Sequence, residues 1–135
     1  MPSVFSKIIA GELPARFVHA DDECVAFLSI NPLKPGHTLL VPRAEVEHWV
    51  DLDAAAWGHL TAVSQRIGAA LERAYRPAKV GLMLAGLEVP HVHIHLVPIW
   101  GVHDLDFANA EAAPPEEALD EAQRTVRGAL EAIGG

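Results

Sequence analysis

The clearest pattern in the chain is a strict alternation of histidine and aliphatic residues over residues 91–96. Imidazoles recur at His91, His93 and His95, and each position between them is aliphatic. Because strand side chains alternate between the two faces of a sheet, this run predicts a strand with three imidazoles on one face and aliphatic groups in the core. Proline lacks the N–H that a central strand donates, so we expect the strand to end at Pro98.

Apolar segments between turn residues predict the other strands. They cover residues 16–19, 24–28, 37–41 and 80–85, and Pro, Gly, Asp or Asn residues separate them. A short turn over residues 86–90 joins the last of these segments to the histidine strand, which favours an antiparallel pair.

Three segments have the spacing or the end signals of helices. Residues 3–10 form a short helix with Ser3 as its N-cap, and a long helix begins at Asp51 or Asp53 and stops before Pro77. A last helix follows Pro114 and Pro115, because proline and acidic residues suit a first turn. The order of elements predicts an α+β layer fold in a single domain, residues 1–135, with a core at 3–100 and a C-terminal loop and helix at 101–135.

Composition narrows the possible partners. The formal net charge is −8 and no cluster of Lys or Arg exists, which argues against non-specific binding to DNA or RNA. No apolar run approaches the roughly 20 residues of a membrane span and no secretory signal is visible, so we expect a cytoplasmic protein without membrane contact. Cys24 is the only cysteine, and we expect a buried structural thiol.

The histidine row has three possible explanations, whereas the isolated His19, His48, His59 and His103 are expected to be structural or surface residues. A purely structural row would bury many ring nitrogens that all need partners. A metal site is possible because imidazole is a common ligand, but no HExxH motif exists and no glutamate follows the row as in a cupin site. The third possible explanation is covalent catalysis, since an imidazole that is mostly neutral near pH 7 is a good nucleophile.

The run from His91 to Pro98 resembles the H-φ-H-φ-H-φ-φ signature of the histidine triad (HIT) family of nucleotide hydrolases and transferases. Residues 4–14 resemble the N-terminal helix of that family, and residues 26–32 and 35–42 resemble its central strands almost residue for residue. The pattern is similar to the Hint-like bacterial branch. The resemblance implies a HIT-like fold: a roughly five-stranded antiparallel sheet, two main helices and a short N-terminal one, in a homodimer with joined sheets.

The resemblance also implies a function and a set of site residues. The function is hydrolysis of nucleoside phosphoramidates or dinucleoside polyphosphates to an AMP-like product, through a nucleotidyl-histidine intermediate and without a metal or other cofactor. His93 would be the nucleophile, His91 would orient it, and His95 and His37 would contact phosphate oxygens. The purine pocket and the phosphate-side turn would be formed by Phe5, Ile8, Leu13, Phe27, Ile30, Gly86 and Val89. His95 favours hydrolase over transferase, because the transferase branch has glutamine there.

Several positions depart from the family pattern. Many members hold a structural zinc through C-x-x-C and a later histidine, but here those positions are Ser3, Ser6 and Glu45, so we predict no structural zinc. Ser29 replaces a ribose-binding aspartate, and a hydroxyl binds more weakly than a carboxylate. Glu88 replaces a serine or threonine near the leaving group, either as a proton donor or simply facing solvent. The departures at Ser29 and Glu88 motivate one alternative, a nucleotide- or partner-binding protein with little turnover. A metal-binding protein is a further alternative. Trp100 and the loop 104–106, which follow the triad, are expected to line the leaving-group side or the partner subunit's site.

Overall fold

The computed structural model describes residues 2–134, which contain a five-stranded antiparallel sheet and three α-helices. The strands are β1 (Phe17–Ala20), β2 (Cys24–Leu28), β3 (Thr38–Pro42), β4 (Lys79–Met83) and β5 (Ile94–Ile99). Their order in the sheet is β1-β2-β3-β5-β4, so β1 and β4 are the edges. The helices are α1 (Val4–Ile9), α2 (Ala54–Tyr75) and α3 (Glu116–Ala132). The predicted α+β fold is confirmed.

The two faces of the sheet bury different sets of residues. One face packs against α2 and α3 and forms the main core, in which Leu40, Ile67 and Ile94 are fully buried. The other face packs against α1 and forms a smaller apolar cluster around Phe5 and Phe27. Because aliphatic residues of the alternating run enter the main core, its histidines are directed to the α1 face.

Side-chain caps fix where the first two helices begin. The Ser3 hydroxyl accepts a hydrogen bond from the backbone N–H of Ser6 at 3.0 Å, which confirms the predicted N-cap of α1. At the start of α2 the Asp53 carboxylate accepts from the N–H of Ala56 at 2.7 Å, so Asp53 rather than Asp51 is the cap. The α2 helix ends at Tyr75; its C-cap Arg76 is left-handed with φ 49°, and the proline that follows cannot continue the helix.

The histidine strand differs from the prediction at both ends. It begins at Ile94 rather than at His91, because the N–H groups of His91 and Val92 donate to the loop carbonyls of Val89 and Val46, each at 2.8 Å. It also continues through Pro98 to Ile99. The pairing with β3 extends only as far as Leu96, beyond which β5 pairs with β4 alone, so a proline without an N–H is tolerated.

The turn before β3 requires glycine. Gly36 has φ +90°, and a Cβ atom there would lie 2.5 Å from the ring of Tyr75 on α2. This turn leads directly into His37 and Thr38, at the start of β3. None of the helices within residues 2–134 is long and apolar enough to cross a membrane.

Candidate active site

Four histidines are grouped on the α1 side of the sheet. His95 belongs to β5, His91 and His93 precede β5, and His37 immediately precedes β3. His37 and His91 are almost fully buried, His93 is 7 % exposed, and His95 is partly exposed. Adjacent rings are in contact: the centroids of His93 and His95 are 5.0 Å apart, and those of His37 and His95 are 5.2 Å apart. Phe5 of α1 packs edge-on against His93, with a centroid distance of 4.9 Å. The structure therefore brings the four predicted catalytic residues together.

The hydrogen bond of His93 defines which of its nitrogens is free. Its Nδ1 lies 2.7 Å from the backbone carbonyl oxygen of His91. Since a carbonyl oxygen only accepts, Nδ1 carries the proton and Nε2 keeps an unshared electron pair. An imidazole held in this tautomer can act as a nucleophile through Nε2.

A second hydrogen-bond chain orients His95. The backbone N–H of Leu33 donates to Nδ1 of His37 at 3.0 Å, so the proton of His37 is on Nε2. That Nε2–H donates to Nδ1 of His95 at 2.9 Å, which in turn leaves the proton of His95 on its own Nε2. His95 is therefore a hydrogen-bond donor through Nε2, whereas its neighbour His93 presents a lone pair.

Burial keeps both rings of this chain neutral. Burial, and to a smaller degree the neighbouring His95, lowers the pKa of His37 from 6.5 to about 3. Burial beside His93 lowers the pKa of His95 to about 4. Desolvation disfavours the charged form of an imidazole, so the tautomers deduced from the hydrogen bonds persist at neutral pH.

His91 connects α1 to β3. Its Nε2–H donates to the carbonyl oxygen of Pro42 at 2.8 Å, and its Nδ1 accepts from the hydroxyl of Ser3 at 2.7 Å. One carboxylate oxygen of Glu45 accepts from the backbone N–H of Ser3 at 2.6 Å and from the hydroxyl of Ser6 at 2.7 Å. These two hydrogen bonds lower the pKa of Glu45, and burial lowers that of His91.

Ser3, Ser6 and Glu45 occupy the positions at which the resemblance places a structural zinc in other family members, and His91 is joined to them by the Ser3 hydroxyl. Their donor set is two hydroxyls, one carboxylate and one imidazole, whereas structural zinc sites are built from thiolates and imidazoles. The Nδ1 of His91 is already engaged by the Ser3 hydroxyl at 2.7 Å. The residues present therefore fit a hydrogen-bond network and do not fit a structural zinc site.

The other predicted site residues divide into two groups. Phe5, Ile8, Phe27 and Val89 belong to the apolar cluster beside the histidines. The rest lie outside that packed set: Leu13 is 38 % and Ile30 69 % exposed, the Ser29 hydroxyl accepts from the N–H of Asn31, Gly86 forms a turn with φ +74°, and Glu88 is exposed. Direct contact of this second group with a ligand stays a prediction.

The structure adds one residue that the sequence patterns did not single out. The ring of Phe107, in a short 3₁₀ turn after β5, lies 5.0 Å from the ring of His95 and is half exposed. Asp104 shapes the same loop, because its carboxylate accepts from the backbone N–H groups of Trp100 and Gly101. Phe107 is the only phenylalanine between Trp100 and the last helix, and a lone large aromatic residue in a loop is a signal that could have been used.

Comparison with known proteins agrees with this geometry. Residues 10–100 match the HIT domain family. A HIT-like protein of Borreliella burgdorferi is 37% identical over 102 residues, which are 70% of this chain and 73% of that protein. Two solved structures cover 96% of this chain: a zinc-bound histidine triad family protein from Mycobacterium smegmatis (TM-score 0.82, 26% identity, 94% of that chain) and a histidine triad nucleotide-binding protein from Sulfolobus tokodaii (TM-score 0.81, 25% identity, 92% of that chain). The chain belongs to the histidine triad (HIT) family.

Proposed function

We propose that this protein hydrolyses nucleoside phosphoramidates or dinucleoside polyphosphates through a nucleotidyl intermediate on His93. The observation that carries the proposal is the hydrogen bond from Nδ1–H of His93 to the carbonyl of His91 at 2.7 Å, which leaves Nε2 as a nucleophile. Membership of the HIT family supports a nucleotide-binding or hydrolase-type function, and the named relative from Sulfolobus tokodaii is described as nucleotide-binding.

The first chemical step joins the nucleotide to the enzyme. The electron pair on Nε2 of His93 attacks the α-phosphorus, and the bond from phosphorus to the leaving amine or phosphate breaks. The Nε2–H of neutral His95, whose orientation is set through His37, donates a hydrogen bond to an oxygen of the transferring phosphoryl group, and the leaving atom takes its proton from solvent water. The carbonyl of His91 accepts the hydrogen bond from the positively charged phosphorylated ring and stabilises it.

The second step releases the product. A water molecule attacks the phosphorus and breaks the bond to Nε2 of His93. The water releases one proton to solvent, and Nε2 of His93 regains its electron pair while Nδ1 keeps its proton, so the rings of His93 and His95 are again in their starting states. His95 stays neutral throughout this cycle, because burial beside His93 lowers its pKa to about 4.

The nucleobase would lie on the apolar cluster beside the histidines. Phe5 and Phe27 form its aromatic floor, with ring centroids 5.7 Å apart. Leu13 and Ile30 are large apolar side chains that are exposed in the free protein, as expected for groups that a bound purine would cover. We therefore expect the purine nucleoside to bind on the α1 side and the leaving group to lie on the side of Phe107.

Single-turnover mass spectrometry tests the mechanism. The wild type and His93→Gln are mixed with adenosine phosphoramidate and, separately, with diadenosine polyphosphates, and the reaction is quenched within one turnover. We expect AMP and a transient adenylyl adduct on the wild type, and no adduct on His93→Gln. The exposed His103 gives a matched control, because His103→Gln should form the adduct at the wild-type rate.

Two results would contradict the proposal. Nucleotide binding without turnover in the wild type would indicate a binding protein that keeps the fold, which is the alternative raised by Ser29 and Glu88. An adduct that persists in His93→Gln would place the nucleophile on another residue.

The proposal includes a homodimer with joined sheets. Strand β4 is an edge of the sheet, and its Leu82 is 56 % exposed. An open edge with unpaired backbone groups and an apolar side chain favours pairing with a second copy. We expect Leu82→Lys to convert a dimer to a monomer in light scattering coupled to size-exclusion chromatography. A wild-type monomer at micromolar concentration would refute this assignment.

A further inference from the structure

A second cluster of metal-ligating side chains lies on the opposite side of the sheet from the histidine triad. His19 belongs to β1, Asp21 to the β1–β2 turn, Cys24 to β2 and His59 to α2. All three partners lie near one oxygen of Asp21: Nε2 of His19 is 2.7 Å away, Nε2 of His59 is 2.9 Å away, and Sγ of Cys24 is 3.4 Å away. The mechanism proposed for the triad uses none of these groups.

We propose that His19, Asp21, Cys24 and His59 form a binding site for a divalent transition-metal ion of the zinc class. Ligand atoms of His19, Asp21 and Cys24 lie within 4.8 Å of one another. In a tetrahedral zinc site, ligand atoms are about 3.3 to 3.8 Å apart, as follows from bonds of about 2.0 to 2.3 Å. His59 lies outside that group of three, but its Nε2 is 2.9 Å from the same Asp21 oxygen. An ion is admitted when the imidazoles of His19 and His59 rotate away from this oxygen to the longer spacing.

The chemistry of the donors favours zinc over harder cations. Two imidazoles, one thiolate and one carboxylate are ligands that zinc accepts, whereas calcium and magnesium prefer oxygen alone. With the thiol of Cys24 deprotonated, the two negative ligands balance the two charges of the ion. Burial and the nearby Asp21 raise the pKa of this thiol to about 12, so binding releases its proton to solvent.

The surroundings orient the ligands as in known metal sites. The second oxygen of Asp21 accepts hydrogen bonds from the backbone N–H groups of Glu23 and Cys24, each at 2.8 Å, which fixes the carboxylate. The Nδ1 of His59 lies 3.4 Å from a carboxylate oxygen of Glu23. A carboxylate behind a ligating imidazole fixes its tautomer and strengthens it as a ligand. The side chains of His19 and His59 are partly exposed, so an ion can enter from solvent.

A bound ion would join the first hairpin to the long helix. Cys24 and His59 lie on different elements and far apart in sequence, so a shared ion adds a cross-link to the main core. Ligand binding to the folded state alone raises stability by mass action. The site thus predicts a protein whose thermal stability depends on zinc-class ions independently of nucleotide.

Cobalt(II) titration of the metal-free full-length protein tests the site. Since Cys24 is the only cysteine, a thiolate-to-cobalt charge-transfer band can arise only there. We expect the band to saturate at one equivalent and to vanish in Cys24→Ser. His19→Gln and His59→Gln should weaken cobalt affinity by about tenfold or more. His93→Gln is the matched control and should leave the band unchanged, because it alters the separate histidine row.

Zinc provides a second readout that does not depend on spectroscopy. The midpoint of thermal unfolding should rise with added zinc in the wild type and in His93→Gln, and this rise should be lost in His19→Gln and His59→Gln. Cobalt binding without a thiolate band would assign the ion to other histidines and overturn the proposal. A band that persists unchanged in both His19→Gln and His59→Gln would overturn it as well.

Discussion

Replacing Ser3 with alanine removes one hydroxyl that serves two purposes in the fold. The Ser3 oxygen caps α1 by accepting the N–H of Ser6, and its O–H donates to the buried Nδ1 of His91 at 2.7 Å. Loss of an N-cap costs about 1 kcal/mol, and leaving a buried acceptor without a partner costs about 2 kcal/mol. We therefore expect Ser3→Ala to lower the free energy of unfolding by about 3 kcal/mol.

The matched variant Ser6→Ala separates these contributions from the surface contact with Glu45. The Ser6 hydroxyl donates to the carboxylate oxygen of Glu45 that also accepts from the backbone N–H of Ser3, but it has no hydrogen bond to His91. Because Glu45 is exposed to solvent, we expect Ser6→Ala to change stability little. Ser3→Thr keeps the hydroxyl and should restore most of the loss.

Urea unfolding at pH 7 and one protein concentration measures the difference. For a slope of about 2 kcal/mol per molar urea, the midpoint of Ser3→Ala should lie about 1.5 M below that of the wild type. Concentration is held constant because subunit association would add to the apparent stability. Equal midpoints for Ser3→Ala and Ser6→Ala would refute the reasoning, since they would mean that the His91 contact contributes nothing.

Three further predictions follow from burial and packing. Burial lowers the pKa of His37 to about 3 and that of His95 to about 4, so the unfolded chain binds about two more protons than the folded chain as pH falls below 6.5. The contribution of these two rings to stability should be complete above pH 6.5. Between pH 6.5 and pH 4.5 the free energy of unfolding should fall by about 1.4 kcal/mol per pH unit for each proton. His95→Gln should reduce the slope by one proton in urea titrations at several pH values, and a slope unchanged from the wild type would contradict this. Gly36→Ala should lower the free energy of unfolding by about 3 kcal/mol, because Gly36 has a positive φ and the ring of Tyr75 lies beside it. Gly128 lies in a helix with no atom near the added Cβ, so Gly128→Ala should stabilise the protein by about 0.5–1 kcal/mol. Thermal unfolding compares the two variants, and equal effects would contradict the packing argument. If the half-exposed ring of Phe107 stacks on the leaving nucleoside, Phe107→Ala should raise KM for dinucleoside polyphosphates about tenfold. The same variant should leave kcat for phosphoramidates unchanged, because their leaving amine carries no nucleoside. Equal effects on both substrates would contradict this role.

Local periodicity was sufficient to predict most of the architecture. The strand Cys24–Leu28 lies where the apolar run predicts it, and the alternating run directs its aliphatic residues into the main core. Both features depend only on which face of a strand a side chain occupies, and this follows from the sequence alone. The predicted ends of the histidine strand are wrong. They depend on which backbone carbonyl accepts each N–H, as when Val46 accepts from Val92, and such partners are distant in the chain.

The contacts that prepare the site could not be predicted in the same way. Ser3 lies 88 positions from His91 and 42 from Glu45, and nothing local in these segments indicates that they meet. The sequence identified Ser3, Ser6 and Glu45 only as departures from a zinc pattern. That they form a hydrogen-bond network in its place depends on the three-dimensional fold. The contact between Phe107 and His95 likewise depends on the path of an irregular loop.

The hydrogen-bond chain that ends at His95 begins at the backbone N–H of Leu33. A hydroxyl or a water molecule at that place could either donate or accept, and the whole chain could then reverse its direction. A peptide N–H has no lone pair to offer, so the direction of the chain is determined by covalent structure. The rings of His37 and His95 therefore keep a single arrangement of protons, and the proposed mechanism needs no ring flip between one substrate and the next.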